Sequence, residues 1–132
     1  MKSSNSSFVA ALLSSPKAQS CWRVLVLLLM GAISWLALSP HPPASMNTGW
    51  DKANHVLAFG SLGFCGFWCV PTQRERWTLL PLALLVFGGV IELLQLQVPG
   101  RSGEWPDLLA DSMGISVGLL IAAALQRLLA TR

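Results

Sequence analysis

Charged side chains are scarce in this chain, since Asp, Glu, Lys and Arg make up only 11% of its 132 residues. Soluble domains usually carry about a quarter. Hydrophobic residues make up 53% of the sequence and are gathered into long blocks instead of recurring with amphipathic periodicity. The composition therefore excludes an ordinary water-soluble domain and predicts that the apolar blocks cross a membrane.

Basic runs and paired cysteines are missing as well. The formal net charge is +3, but no run of five or more Lys and Arg occurs, so no binding to nucleic acid is expected. The three cysteines form an odd set without companion ligands, so they predict no disulfide framework. Cys65 and Cys69, one helical turn apart, are expected to be small buried packing residues.

Four apolar segments are long enough to cross a bilayer, because about 20 helical residues span its hydrocarbon core. Prolines interrupt the chain between these segments, at Pro40, Pro71 and Pro99. The apolar stretch within residues 1–21 is too short for a signal peptide, so these residues are predicted to be a flexible cytoplasmic tail. The predicted fold is all-α, a four-helix transmembrane bundle in one domain over residues 22–130, with spans at about 22–38, 51–70, 78–97 and 106–130.

The basic residues are distributed unevenly between the two ends of these spans. Only Lys52 and Arg101 fall at one end, whereas the other end holds Lys2, Lys17, Arg23, Arg74, Arg76, Arg127 and Arg132. Cytoplasmic loops are enriched in Lys and Arg, so both termini are predicted to lie in the cytoplasm. All 6 tryptophans fall near a span end, as expected for an interfacial aromatic belt.

Polar side chains collect at the predicted extracytoplasmic ends of the spans. Three pairs are spaced so that each shares one helix face: Asp51 with His55, Glu92 with Gln95, and Asp107 with Asp111. An ionisable group inside a bilayer is costly when it faces lipid, so these faces should turn toward each other. The predicted binding cluster comprises Asp51, Lys52, His55, Glu92, Gln95, Arg101, Asp107 and Asp111.

Simpler roles are open for the residues nearest the span ends. Asp51 and Asp107 would each complement a helix dipole as acidic residues in a first turn. Lys52 would extend to the lipid headgroups. Arg101 and Glu104 would form a surface ion pair that contributes little to stability.

Small residues support the inward facing of the acids that lie deeper in the spans. Gly114 and Gly118 continue the helix face that carries Asp111, in a small-xxx-small pattern that lets two helices approach closely. Gly88 lies one turn from Glu92 in the same way. Glu92 and Asp111 lie within spans that were otherwise free to be apolar, so we interpret them as parts of a specific polar network.

The order and spacing of these residues resemble those of the VanZ-like family. The resemblance covers about residues 51–118 and rests on four motifs: Asp51-Lys52-x-x-His55-x-x-x-Phe59, Glu92-x-x-Gln95, Pro99-Gly100-Arg101-Ser102, and Asp107-x-x-x-Asp111-x-x-Gly114-x-x-x-Gly118. It implies a multi-pass protein of the bacterial cytoplasmic membrane, in a group named for a teicoplanin-resistance accessory protein. The family pattern usually has asparagine where this chain has Asp111. A carboxylate there should be neutral or paired with Lys or Arg, because it is desolvated.

The resemblance favours an accessory or binding protein of the cell envelope. Its partners would be the lipid bilayer and a polar headgroup, a peptide or a lipid-linked envelope precursor, with a link to glycopeptide resistance or precursor handling. No cofactor and no metal is predicted, since Lys52 and Arg101 offer the acids internal counter-charges. The oligomeric state stays open.

The alternative function is an intramembrane enzyme acting on a lipid-linked extracytoplasmic substrate. His55 would be the general base or acid, Asp51 would orient it, and Glu92 with Asp107 or Asp111 would handle a second proton or a metal. Acids and one histidine would suit a hard divalent cation better than zinc. No Ser or Cys nucleophile accompanies the histidine, and no polar chain continues to the other membrane face as an ion pathway would require.

Overall fold

A computed structural model describes residues 8, 9 and 13–131 of the chain. Over these residues the structure is helical and contains no strand, so the all-α prediction is confirmed. The long helices are α1 (Pro16–Leu38), α2 (Asp51–Cys69), α3 (Leu80–Gln95) and α4 (Trp105–Thr131). A short 3-10 helix, Ala44–Met46, lies between α1 and α2, and a π-helical segment, Glu75–Leu79, leads directly into α3.

Helix α1 begins at Pro16, ahead of the predicted start at residue 22. The side chain of Ser15 caps it by accepting a hydrogen bond of 3.2 Å from the Ala18 amide, and Pro16 occupies the first turn, where its missing N–H is not needed. Residues 16–21, which the sequence analysis assigned to a flexible tail, are thus helical in the structure. Most of the remaining tail, residues 1–7 and 10–12, lies outside the described residues.

Among the described residues, three segments are long and apolar enough to cross a membrane, namely Pro16–Leu38, Glu75–Gln95 and Trp105–Ala130. Helix α2 is not among them, because its first two turns carry Asp51, Lys52, Asn54 and His55. Yet α2 holds the largest aromatic side chains of the core, with Phe59, Phe67 and Trp68 at most 2% exposed. Because α2 packs mainly against the other helices, it can carry polar side chains without exposing them to lipid.

Helices α2 and α4 form the most extensive helix pair, and glycines bring them together. A Cβ atom at Gly114 would lie 2.5 Å from the Val56 carbonyl oxygen, and one at Gly118 would collide with the Gly60 carbonyl oxygen. Gly60 and Gly63 of α2, which the sequence analysis did not single out, also face the α4 backbone. Around this contact lies the hydrophobic core, which comprises Phe59, Leu62, Phe67, Trp68, Leu84, Ile115, Leu119 and Ala122.

Replacing Gly118 with alanine should lower the free energy of unfolding by about 1–3 kcal/mol, because the added methyl group meets the α2 backbone, which cannot move aside cheaply. Gly89→Ala is the matched control, since a Cβ at Gly89 has no neighbour within 4 Å. It should be neutral or stabilising by up to about 1 kcal/mol. The unfolding midpoints of both variants are compared by thermal unfolding in detergent. Equal midpoints would contradict the close contact between Gly118 and the α2 backbone.

Arginines hold the opposite end of α2 in place. Arg76 is 6% exposed, donates from Nε to the Val70 carbonyl oxygen at 3.1 Å, and places its guanidinium 4.5 Å from the centre of the Phe67 ring. Arg23 donates from Nε to the Cys69 carbonyl oxygen at 3.2 Å. These bonds satisfy carbonyl groups that a helix end leaves free. Cys69 itself is buried and not in a disulfide.

Candidate functional site

Acidic side chains from three helices and one loop converge at the end of the bundle where α2 and α4 begin and α3 ends. We call this group the acidic cluster, and it comprises Asp51, Lys52, His55, Glu92, Glu104, Asp107 and Asp111. Three of its carboxylates are almost fully buried, with side-chain exposures of 8% for Glu92, 2% for Asp107 and 0% for Asp111. Most of the predicted cluster is thus brought together.

His55 lies at the centre of the acidic cluster. Its Nδ1 atom forms a hydrogen bond of 2.8 Å with Oδ1 of Asp111. Its Nε2 atom faces three carboxylate oxygens, at 3.8 Å from Asp51, 3.8 Å from Glu92 and 4.0 Å from Asp107. These three distances are too long for hydrogen bonds. An imidazole fixed in this way through Nδ1 presents Nε2 for proton transfer or for metal coordination.

Two expectations about the partners of these residues are therefore corrected. Asp111, and not Asp51, makes the hydrogen bond that orients the His55 ring. The hydrogen-bond partner of Asp111 is His55 and not a Lys or Arg side chain, so of the two states expected for this carboxyl only the pairing with Lys or Arg is contradicted. Both corrections arise from the close approach of α2 and α4 at Gly114, which places Asp111 directly against the imidazole.

Lys52 belongs to the acidic cluster through ion pairs and does not extend away toward headgroups. Its Nζ atom lies 3.1 Å from Oδ1 of Asp107 and 3.6 Å from Oε2 of Glu104. Glu104 was absent from the predicted cluster. Its backbone amide also donates a hydrogen bond of 2.9 Å to Oε2 of Glu92, so the loop before α4 is tied to the end of α3.

Arg101 and Gln95, which the sequence analysis assigned to the cluster, instead hold the end of α1. Arg101 donates from Nε to the Ser39 carbonyl oxygen at 3.0 Å and from Nη2 to the Leu36 carbonyl oxygen at 2.6 Å. Gln95 donates from Nε2 to the Ala37 carbonyl oxygen at 3.1 Å. The predicted ion pair between Arg101 and Glu104 is not formed. The free carbonyl groups and the negative dipole end of α1 bind the Arg101 guanidinium instead.

Glycines make room for the buried carboxylates. A Cβ atom at Gly88 would lie 2.5 Å from Oδ2 of Asp111, so only glycine lets α3 pass this side chain. A Cβ atom at Gly103 would collide with the Glu92 carbonyl oxygen. Gly88 therefore faces Asp111 of α4. It also lies one helical turn from Glu92, as the sequence analysis noted.

Two overlapping sets of side chains have the spacing that a metal ion requires. Asp51, His55 and Asp107 form one set, and His55, Glu92 and Asp111 form the other, with candidate ligand atoms in each set within 4.8 Å of one another. His55 is common to both. These are the residues of the described chain that could hold an ion at this end of the bundle.

A cavity of about 350 Å³ opens between α1 and α2 beside the acidic cluster. Its apolar wall comprises Leu29, Ala32, Ile33, Leu36, Leu57 and Ala58. Its polar end comprises Asn47, Asp51, Asn54, His55, Gln95 and Arg101. Helix α1 contributes no buried residue, so it forms the outer side of this cavity. Gln95 and Arg101 thus share the cavity with His55 although they do not contact the acids.

A family model described as VanZ/LLP1 matches residues 4–126. No curated protein and no solved structure matches the chain significantly. The family match extends over nearly the whole sequence and includes all residues of the acidic cluster. The chain therefore belongs to the VanZ-like family.

Proposed function

We propose that this chain is an accessory protein of the bacterial cell envelope that binds one amphipathic, lipid-linked molecule at the extracytoplasmic face of the cytoplasmic membrane. The observation that carries the proposal is the cavity between α1 and α2, which is apolar along its length and polar at one end. The acyl or prenyl chain would lie against the apolar wall. The head of the molecule would lie at Asp51, Asn54 and His55, next to the acidic cluster.

The shape of the cavity supports an amphipathic molecule over a small soluble one. Binding sites for small molecules are mostly apolar with a few placed polar groups, and about 350 Å³ is at the lower end of their volumes. Here the polar groups other than Ser61 are gathered at one end, where they would select the head. The outer wall is α1, which packs loosely, so a long chain could enter from the lipid side.

The proposal includes a membrane topology in which all four long helices cross the bilayer and both termini are cytoplasmic. Support comes from three helices of sufficient length and apolarity, from the burial of α2 among them, and from the uneven distribution of Lys and Arg. In this orientation the acidic cluster faces the extracytoplasmic side.

Cysteine labelling in a cysteine-free background tests the topology. An impermeant maleimide should label Ser45→Cys and Ser102→Cys in intact cells, since both positions are exposed beside the acidic end of the bundle. It should label Gln73→Cys, in the loop between α2 and α3, only after the membrane is permeabilised. Labelling of Gln73→Cys alone in intact cells would contradict the proposed topology and indicate the opposite orientation.

Binding is tested by asking whether an amphipathic molecule stays with the chain after extraction from bacterial membranes. Native mass spectrometry detects such a molecule as a discrete mass added to the chain. A chain that carries only exchangeable detergent would contradict the proposed function.

The enzyme alternative has one observation in its favour. Asp111 fixes Nδ1 of His55 at 2.8 Å and leaves Nε2 facing the cluster, which is the arrangement of an imidazole that acts as a general base. Conversion of the bound molecule by the wild type, and not by His55→Ala, would favour the enzyme over the accessory protein.

A further inference from the structure

Two buried carboxylate oxygens in the acidic cluster have no hydrogen-bond partner, namely Oε1 of Glu92 and Oδ2 of Asp111. The side chain of Glu92 is only 8% exposed, and its free oxygen points toward His55 Nε2 from 3.8 Å away. Leaving a buried polar atom unpaired usually costs about 1–3 kcal/mol. For Oε1 of Glu92, this cost is avoided if a ligand occupies the space between that oxygen and His55 Nε2.

The distances around His55 Nε2 are those of ligands that share one ion. Atoms bound at about 2.1 Å from a single metal ion lie about 3 to 4.2 Å from each other. The oxygens of Asp51, Glu92 and Asp107 lie 3.8, 3.8 and 4.0 Å from Nε2. These separations exceed hydrogen-bond length and fall within the range for a shared ion.

The excess negative charge of the acidic cluster also favours the binding of a cation. It contains five carboxylates, Asp51, Glu92, Glu104, Asp107 and Asp111, and Lys52 is its one permanent cation among the described residues. Arg101, which the sequence suggested as a second counter-charge, donates to carbonyl groups of α1. Even a protonated His55 would leave the cluster with an excess of negative charge.

We infer that the acidic cluster binds one divalent metal ion at Nε2 of His55, with the carboxylates of Asp51 and Asp107 as ligands on one side and that of Glu92, after a small movement of its side chain, as a ligand on the other. Asp111 would be the positioning residue, because its hydrogen bond to Nδ1 holds the ring so that the lone pair of Nε2 faces the ion. Metal-binding histidines commonly have a carboxylate in this position. The inference does not depend on the proposed lipid ligand.

The ligand set favours an ion of the Mn²⁺ class. Carboxylate oxygens suit hard ions such as Mg²⁺, Ca²⁺ and Mn²⁺, whereas an imidazole nitrogen suits transition metals. One imidazole with three carboxylates combines both preferences, and the site contains no thiolate that would favour zinc. A bound divalent ion would also let this acidic site accept an anionic head group such as a phosphate.

Manganese binding to the purified full-length chain tests the inference. The protein is treated with EDTA in detergent, dialysed and titrated with MnCl₂, while electron paramagnetic resonance reports the free ion. We expect one saturable site per chain. His55→Ala and Glu92→Gln should each weaken Mn²⁺ binding at least tenfold, and Asp111→Leu, which cannot accept a hydrogen bond, should weaken it about 10- to 100-fold through the orientation of the ring.

Glu75→Gln is the matched control, because it removes the same kind of carboxylate at the opposite end of the α3 segment, where Glu75 accepts hydrogen bonds from Thr72 and takes no part in the acidic cluster. Its Mn²⁺ affinity should equal that of the wild type. Unfolding midpoints separate misfolding from loss of the site. In EDTA, Glu92→Gln should melt at or above the wild-type temperature, because it removes a repelling charge, and Mn²⁺ should raise only the wild-type and control midpoints.

Absence of saturable Mn²⁺ binding by the wild type would overturn the inference. Binding that persists unchanged in both His55→Ala and Glu92→Gln would overturn it as well. The Ala32→Trp variant, which blocks the apolar wall of the cavity and leaves the acidic cluster intact, should bind Mn²⁺ normally. Failure of the metal site and failure of the lipid proposal are therefore distinguishable.

Discussion

Filling the apolar cavity with one large side chain should remove the bound amphipathic molecule almost completely. Ala32 lies on the exposed side of α1 and lines the cavity, so Ala32→Trp would place an indole where the acyl or prenyl chain is proposed to lie. The cavity measures only about 350 Å³, and an indole would occupy a large part of it. We expect the fraction of chains that retain the molecule in native mass spectrometry to fall at least tenfold.

Ala83→Trp provides the matched control for this variant. Ala83 is an exposed alanine on α3 that does not line the cavity, so the same substitution there should leave retention unchanged. Both variants should keep the wild-type unfolding midpoint, because neither alanine is buried. Equal retention by Ala32→Trp and Ala83→Trp would show that the cavity is not the binding site.

The second large effect is expected from the acidic cluster itself. His55→Ala removes the ring at its centre, and Glu92→Gln replaces the carboxylate whose free oxygen lies 3.8 Å from Nε2. If both groups hold the same part of the ligand, either substitution should lower retention of the amphipathic molecule at least tenfold. The double variant should retain no less than either single variant, because a unit that has lost one member has already lost its function.

Protein stability must be matched in this comparison. Removing the His55 ring from a buried charged network can destabilise the fold by about 3–5 kcal/mol. Retention is therefore measured only on chains that show the same folded fraction by thermal unfolding. Effects of the two substitutions that add independently would separate His55 from Glu92 and contradict a shared site.

Helical spacing was sufficient to predict which elements carry the acidic cluster. Asp51 with His55 and Asp107 with Asp111 lie four residues apart, so each pair had to share a helix face, and the cost of exposing charge to lipid turned these faces inward. The VanZ-like motifs pointed to the same residues, and the family match confirms the resemblance. The number and type of helices followed from the apolar blocks in the same way.

Contacts between helices could not be read from spacing along one helix. The choice of Asp111 over Asp51 as the hydrogen-bond partner of His55 depends on how far α2 and α4 approach each other. That approach is set by Gly60 and Gly114 together. Only the glycine on α4 belongs to a recognisable small-xxx-small pattern, so the sequence revealed half of the contact.

Loop residues were the other source of error. Arg101 follows the end of α3 and was expected to meet the acids, but the free carbonyl groups at the end of α1 bind it instead. A helix end that comes from a distant part of the chain leaves no periodic signal near Arg101. Glu104 was missed for a similar reason, because its role rests on its backbone amide and on a 3.6 Å ion pair with Lys52.

The central claim is that the wild-type chain holds one amphipathic molecule with its apolar part between α1 and α2. Native mass spectrometry of the full chain, extracted from bacterial membranes in a mild detergent, measures this directly. We expect a single added mass per chain whose fragments contain both a hydrocarbon chain and a polar head. A wild-type spectrum without any added mass, or with the same masses on Ala32→Trp, would contradict the account.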